Sequence, residues 1–458
     1  MVKDGILIKS GFGFLGLLLL PVYINGKNSV EIQLKEKESP NILIIFTDDQ
    51  GYADLGCFGS KTNRTPNMDK LAQEGVMFTE FYAQSQSMPS RSAILTGRYP
   101  CKNKGINMPA SEVTFAELAK AGGYQTVCIG KWEVSGRKYI VDRMPNAQGF
   151  DYYYGTLGAN DGGVVKLYEN NDYVRTEKDM SVFTREYTDK AIDFLKNKRD
   201  KDKPFVIYLA HTMMHSIVDA SKEFKGKSKG GLYGDVVEEF DYHTGRLIKT
   251  LDELGLSENT LVIYTTDNGP WCQPEYYNNP RNSKKYPAGT KFWGDPGIFR
   301  DGKCSLYEGG SRVPCIMRWP GIIPQNIKRD GLIATIDFLP TFASLCGFSI
   351  PDSLDLDGVD QTSFIISRTN PSKRKTFGYM QALHSHSYEI EAIRDDRWKL
   401  LLPNRKRDDV FYFMTDFGTN DYELYDLKND PSEKNNLVDK HPEIVERLKK
   451  ELENIKNN

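Results

Sequence analysis

The chain is 458 residues long, 39% hydrophobic and 27% charged, with 23 Phe and 25 Tyr. This globular composition excludes disorder, collagen-like sequence and a whole-chain membrane class, and the length alone predicts about two or three domains. Sixty basic residues against sixty-two acidic ones give a formal charge of −2, so no global basic field is available to hold nucleic acid.

Lys3 and Lys9 precede an uncharged run from Ser10 to Gly26. The run is too short and glycine-rich for a membrane span, which needs about 20 apolar residues. A basic start, an apolar stretch and a polar exit at Asn25-Gly26-Lys27 predict a secretory signal peptide over residues 1–26, the other reading being a buried helix. The mature protein is then expected in a periplasmic or secreted setting, with no membrane association after cleavage. Seven Cys occur without a C-x-x-C pair, which excludes a zinc ribbon and a thioredoxin motif.

Apolar runs at 41–47, 126–129, 205–209 and 261–265 predict buried strands. Helical patterns at 65–75, 90–95, 114–121, 183–198 and 232–254 alternate with them. This order predicts an α/β fold, a largely parallel mixed sheet sandwiched by helices, over residues 40–372. From about Lys373 short alternating segments precede a charged helix at 442–455, predicting a smaller antiparallel sheet plus helix over 373–458. The Pro-, Gly-, Asn- and Tyr-rich stretch 271–300 reads as a long functional or mobile loop.

Ligands of such sheets bind beyond the carboxyl ends of the strands. Those ends deliver Asp48 and Asp49, then Lys131, then His211 and His215, then Asp267 and Asn268. The Asp and Asn side chains are hard oxygen donors suited to Ca²⁺ or Mg²⁺. A single Asp after a strand is more often a cap or turn residue, but the joint pattern is hard to explain as capping. The two histidines stand four apart, a zinc spacing on a helix, yet they follow a strand. One of them serving as an acid or anion contact fits better. In Ser87-Met-Pro-Ser-Arg-Ser-Ala-Ile-Leu-Thr-Gly-Arg98, Ser87 lies near a helix start and Arg91 adds a guanidinium, a combination that holds an anion; a capped helix with a solvated Arg reads the same residues.

Ser-x-Pro-Ser-Arg followed by Leu-Thr-Gly-Arg resembles the sulfatase signature, with Ser where Cys is more familiar. Pro40 to Tyr52, Thr65 to Ala72, Gly130-Lys131-Trp132, the stretches 149–155 and 208–215, Thr266 to Pro270, Gly302-Lys303, Glu308 to Pro314 and Glu423 to Pro431 follow in that family's order. The resemblance is to the arylsulfatase-like branch of the alkaline phosphatase superfamily, and it covers about residues 40–455. It implies that Ser87 is oxidised to Cα-formylglycine. The aldehyde's hydrate attacks sulfur, releases the alcohol and then expels sulfate. It further implies calcium held by Asp48, Asp49, Asp267, Asn268 and residue 87, with Arg91, Lys131 and Lys303 on the modified side chain and the sulfate. His215 is implied as the acid for the leaving oxygen. A serine has no thiol for an oxygen-dependent converting enzyme, so a radical-type maturing enzyme is the implied partner.

Two positions depart from the family pattern. Glu133 stands where Gly-Lys-Trp is usually followed by His, and Met214 and Ile217 replace prolines around His215. Glu133 can act as the missing base, repel sulfate, pair with Lys131 or turn away. The expected reaction is hydrolysis of a sulfate monoester, on a sulfated carbohydrate or an aryl sulfate. The alternatives are a phosphomonoester or phosphodiester hydrolase of the same superfamily, and a catalytically weak sulfated-glycan-binding protein. Aromatic residues between Trp271 and Trp293 suit sugar rings but also suit packing of their own loop. His384 and His386 are further candidates for substrate contact, with surface histidine as the other reading.

Overall fold

The computed structural model describes residues 39–103, 107–383, 387–403 and 421–457. The expected signal peptide, His384 and His386 lie outside the described residues. The described residues all fall in one compact unit. No helix among the described residues is long and apolar enough to cross a membrane.

The strands of the main sheet, in chain order, are β1 (Asn41–Thr47), β2 (Val76–Tyr82), β3 (Gln125–Lys131), β4 (Tyr152–Thr156), β5 (Val165–Glu169), β6 (Asp172–Glu177), β7 (Phe205–Ala210), β8 (Thr260–Thr266), β9 (Arg312–Arg318), β10 (Ile327–Arg329) and β11 (Ile333–Ala334). Their order is β10-β2-β9-β8-β1-β7-β3-β4-β5-β6, with β11 also on β2. Strands β8, β1, β7, β3 and β4 run parallel, and every residue of β1, β7 and β8 is buried, as a strand covered on both faces requires. Register matters more for the site than strand count. Thr47 pairs with Thr266, Phe46 with Ala210, and Ala210 with Gly130. Four strands therefore end on one rim.

Alternate residues of β1 face opposite layers. Leu43 and Ile45 join a core with Phe183, Tyr187, Val236, Phe240 and Leu247. On the other face Phe46 meets Tyr208 at 5.8 Å, and Phe115 meets Tyr208 at 6.1 Å and Phe342 at 5.7 Å. The helices supplying these residues are α3 (Phe115–Ala121), α4 (Phe183–Asp193), α5 (Gly231–Glu253) and α6 (Phe338–Cys346), preceded in the chain by α1 (Pro66–Gln73) and α2 (Ser87–Thr96). The predicted helix over 183–198 changes to a wider turn at Phe194–Lys198. Strands β2, β4 to β6 and β9 to β11 have no counterpart in the sequence expectation.

A second sheet, antiparallel in the order β12 (Phe377–Leu383), β13 (Ser387–Arg394), β14 (Trp398–Leu401) and β15 (Glu423–Asp426), is covered by α7 (Pro442–Asn457) through Val445, Leu448 and Leu452. Its core includes Tyr82, Ala93, Tyr99 and Tyr307 of the preceding chain. Beneath it lies a buried charge cluster. Glu308 accepts hydrogen bonds from Tyr379 and Tyr82, each at 2.6 Å, and from Lys399 at 3.1 Å. Lys399 also pairs with Glu433 at 2.8 Å. Burial opposes ionisation of Glu308, but Lys399, Arg394 and Arg312 bring its carboxyl down to about 2. Burial and the charge of Glu308, against the pull of Lys399, leave Glu433 up at about 7. Lys399→Met removes the cation between two buried carboxylates. It should cost about 3–5 kcal/mol, read as a lower urea midpoint at pH 7.5; an unchanged midpoint contradicts the assigned role.

Candidate active site

Helix α2 begins at Ser87, with Gln86 extended before it. Pro89 sits in the first turn, where its missing N–H costs nothing. The four-residue spacing places Arg91 over Ser87, and Arg91 Nε donates to Ser87 Oγ at 3.0 Å. The same oxygen accepts from Lys131 Nζ at 2.8 Å and donates to Asp267 Oδ2 at 2.5 Å. One donor and two acceptor positions are all that a hydroxyl has, so Ser87 Oγ is saturated.

Lys131 reaches this point because β3 can bend at its end. Gly130 has φ +106°, and a Cβ there would lie 2.0 Å from the carbonyl oxygen of Ala210. Only glycine fits. The fully buried Lys131 ammonium donates hydrogen bonds to Asp48 Oδ2 at 2.6 Å and Ser87 Oγ at 2.8 Å and forms an ion pair with Glu133 Oε2 at 2.7 Å. Glu133 Oε1 takes the guanidinium of Arg137 at 2.6 and 2.9 Å. Burial opposes ionisation of Glu133, but Lys131, Arg137 and Arg91 hold it well below the usual carboxylate range.

Asp48, Asp49, Asp267 and Asn268 converge on the same side of Ser87. Asp49 holds a left-handed backbone at φ +54°, a strained value for a residue other than glycine, and its N–H donates to Asp267 Oδ1 at 3.2 Å. Lys303, brought from beyond the long loop, donates to Asp49 Oδ1 at 2.5 Å. Arg91 Nη2 donates to Asp267 Oδ2 at 2.9 Å. Burial raises both Asp49 and Asp267; for Asp267, with Asp48 beside it, the value reaches about 6. Asp48 is held well below its usual range, because Lys131, His215 and Arg91 outweigh its burial.

Of the four residues with hard oxygen donors, three keep a buried oxygen without a hydrogen-bond partner among the described residues: Asp48 Oδ1, Asp49 Oδ2 and Asn268 Oδ1. Asn268 donates its own Nδ2 to Asp49 Oδ1 at 2.8 Å, which leaves its oxygen turned the other way. Ligand atoms of Asp48, Asp49 and His215 lie within 4.8 Å of one another. A cluster of unpartnered hard oxygens in a dry site fits a divalent cation of the Ca²⁺ or Mg²⁺ kind.

His215 Nδ1 lies 2.5 Å from its neighbour's carbonyl, Ser216 O, which fixes the proton there and turns Nε2 to the site. Nε2 stands 3.5 Å from Asp49 and 3.4 Å from Asp161. His211 is elsewhere in function: it is buried between Tyr187 and Phe240, and its Nδ1 accepts the N–H of Met213 at 2.9 Å. The aromatic residues of the long loop pack on one another, Trp271 on Tyr276 at 4.4 Å and Tyr277 on Trp293 at 3.9 Å, and the loop contains one-turn helices at Pro274–Tyr277 and Pro280–Ser283. None of the seven cysteines is disulfide-bonded.

Three residues of this neighbourhood are absent from the sequence expectation. Arg137 and Asp161 form an ion pair at the mouth, with about half of each side chain exposed. Asn160 Nδ2 donates to the carbonyls of Thr212 and His215, each at 3.3 Å, and so holds the histidine loop. Arg137 had a weak signal, an opposite charge four residues after Glu133; the two loop residues had none.

Two stability predictions follow from these pairings. Glu133→Ala removes the carboxylate shared by Lys131 and Arg137 and leaves Arg137 only Asp161; we expect a loss of about 2 kcal/mol in urea unfolding, with Glu133→Gln intermediate. An unaltered midpoint contradicts the pairing. Burial lowers His211 from 6.5 to about 3, so the unfolded chain takes up this proton first as pH falls. The stability it contributes is complete above pH 6.5 and is lost toward pH 3. His211→Gln should shrink the stability lost between pH 6.5 and 5 by about 1.5 kcal/mol; an equal loss in both proteins removes His211 as the cause.

The sulfatase family model matches residues 40–348, and the C-terminal model of N-sulphoglucosamine sulphohydrolase matches residues 294–458. An N-acetylgalactosamine-6-O-sulfatase of Bacteroides thetaiotaomicron is 31% identical, with 94% of each chain covered. Human arylsulfatase A is 31% identical over 90% of this chain and 86% of its own. A solved sulfatase from a glycosaminoglycan-metabolising locus of Bacteroides thetaiotaomicron has a TM-score of 0.79 at 29% identity, covering 92% of this chain and all of that one. A phosphonate monoester hydrolase from Silicibacter pomeroyi, at 18% identity and TM-score 0.63, shares the fold alone. With the family model spanning most of the chain, and the rim of acidic, basic and serine side chains in the family's order, this chain belongs to the sulfatase family and is a sulfuric ester hydrolase.

Proposed function

We propose that the enzyme removes sulfate from a sulfated carbohydrate through a formylglycine made from Ser87, beside a Ca²⁺ held by Asp48, Asp49, Asp267 and Asn268. The observation that carries this reading is the group of three unpartnered buried oxygens next to a saturated, buried Ser87 hydroxyl. When present, the formylglycine hydrate supplies the nucleophile and the cation supplies charge for the sulfate oxygens.

The chain's own residues do the rest. Arg91 and Lys131 already grip the oxygen of residue 87 and fix its direction. Lys303 stands over the Trp271 ring at 5.1 Å and adds a cation on the other side for sulfate. His215, as the imidazolium with its Nδ1–H on a carbonyl, gives its Nε2 proton to the leaving oxygen and is left neutral. Glu133 acts through Lys131 as a positioning residue: with one oxygen on Lys131 and the other on Arg137, it is a poor proton acceptor. The relatives' names support a sulfated N-acetylhexosamine as the first substrate to try, because a close match over the whole length is an N-acetylgalactosamine-6-O-sulfatase. Ser at position 87 makes a radical-type maturing enzyme the expected partner, and the apolar N-terminus supports export.

Asp267→Ala removes one cation ligand and the acceptor of the Ser87 hydroxyl. In protein co-produced with the maturing enzyme, bound calcium should fall below one per chain, and turnover of 4-nitrophenyl sulfate should drop by more than about a hundredfold. Active protein containing zinc, or no metal, contradicts the assignment, and calcium-loaded matured protein without turnover supports a binding protein instead.

A further inference from the structure

A cleft of about 950 Å³ opens beside the active site, between the loop at Gly162 and Gly163, the segment from Ile217 to Asp219, the start of α5 and the loop 285–291. The two share a wall. Asn160 Nδ2 donates to the carbonyls of His215 at 3.3 Å and Ile217 at 3.4 Å. Lys285 Nζ donates to the carbonyl of Asp161 at 2.8 Å, and the Asp161 carboxylate stands 3.4 Å from His215 Nε2. A substrate whose leaving oxygen lies against His215 therefore has its remaining units next to this cleft.

Five lysines and three aspartates line it. The aspartates are engaged locally. Asp235 accepts the backbone N–H groups of Gly226, Lys227 and Ser228 at 2.7–2.9 Å. Asp219 pairs with Lys225 at 2.7 Å, and Asp179 accepts from the N–H of Ser181 at 3.0 Å. Lys178, Lys229, Lys285 and Lys291 form no ion pair among the described residues, and the first three are exposed. Five lysines against three aspartates leave this concave surface a net charge of +2, which concentrates anions, and the volume is that of a site for several ring systems.

We infer that this cleft binds the anionic remainder of an oligosaccharide, a sulfate or carboxylate on a unit beyond the one being desulfated. This rests on the sulfatase reading above and extends it: the enzyme should discriminate by chain length and by charge outside the sulfate it removes. The recognised chemistry, an oxyanion on a saccharide, is the same for sulfate and carboxylate.

The test is Lys178→Ala/Lys229→Ala, which changes two exposed side chains outside the catalytic cluster. Binding of sulfated tetrasaccharides of chondroitin, heparin and carrageenan type to unmodified Ser87 protein is measured by calorimetry, beside carboxyl-reduced counterparts that separate the two anions. Turnover of 4-nitrophenyl sulfate is measured in matured protein. At least one tetrasaccharide should bind about fivefold more weakly to the double variant, with a flatter salt dependence, while 4-nitrophenyl sulfate turnover is unchanged. The inference is overturned if no tetrasaccharide binding changes, or if the small substrate loses activity in parallel. Variant-sensitive binding without turnover of any sulfate ester overturns the catalytic reading and leaves the cleft standing.

Discussion

Charge compensation without water is the constraint on which this structure depends. Asp48, Asp49 and Asp267 are brought together with Arg91, Lys131 and Lys303, and all six are nearly or wholly buried. Ionised groups in such a place are tolerable only when each has a partner at hydrogen-bond distance. Three carboxylates against three cations make the cluster neutral on its own. The divalent cation proposed for the remaining oxygen cradle would add positive charge to this balance, and an anionic sulfate ester would offset it.

Glu133 and Arg137 extend the same logic. A carboxylate in place of an imidazole would upset the balance beside Lys131, but Arg137 holds its other oxygen. The pair adds no net charge and moves a guanidinium to the mouth, where it meets Asp161. Three residues here, Asp49, Glu133 and Arg137, have left-handed backbones, which sets side chains at angles a regular strand end cannot reach. Farther back, Glu308, Lys399 and Glu433 repeat the pattern of buried carboxylates sharing a cation. That second cluster ties the small sheet to the segment that presents Lys303.

The central parallel strands were legible in the sequence because both of their faces are covered, so each reads as an uninterrupted apolar run. Their polar ends are legible for the same reason, since Asp48, Lys131 and Asp267 stand within two residues of where the apolar run stops and His215 stands a short loop beyond. Strand β2 is not legible: the polar, partly buried Thr79 and Glu80 interrupt its apolar run. In the hairpin β5–β6 at the sheet edge, β5 buries only Val165 and Leu167 and β6 is largely exposed, which leaves a short apolar signal. Asn160 and Asp161 act from an irregular loop, where no periodicity points to a position. The aromatic loop was read in two ways, and its stacked pairs favour packing.

The most direct measurement is the peptide mass at residue 87 in samples produced with graded amounts of a radical-type maturing enzyme, read against turnover of a sulfate ester. The account predicts activity in proportion to the fraction of chains carrying formylglycine at position 87, extrapolating to none for serine. Full turnover from protein whose residue 87 is entirely serine would contradict it.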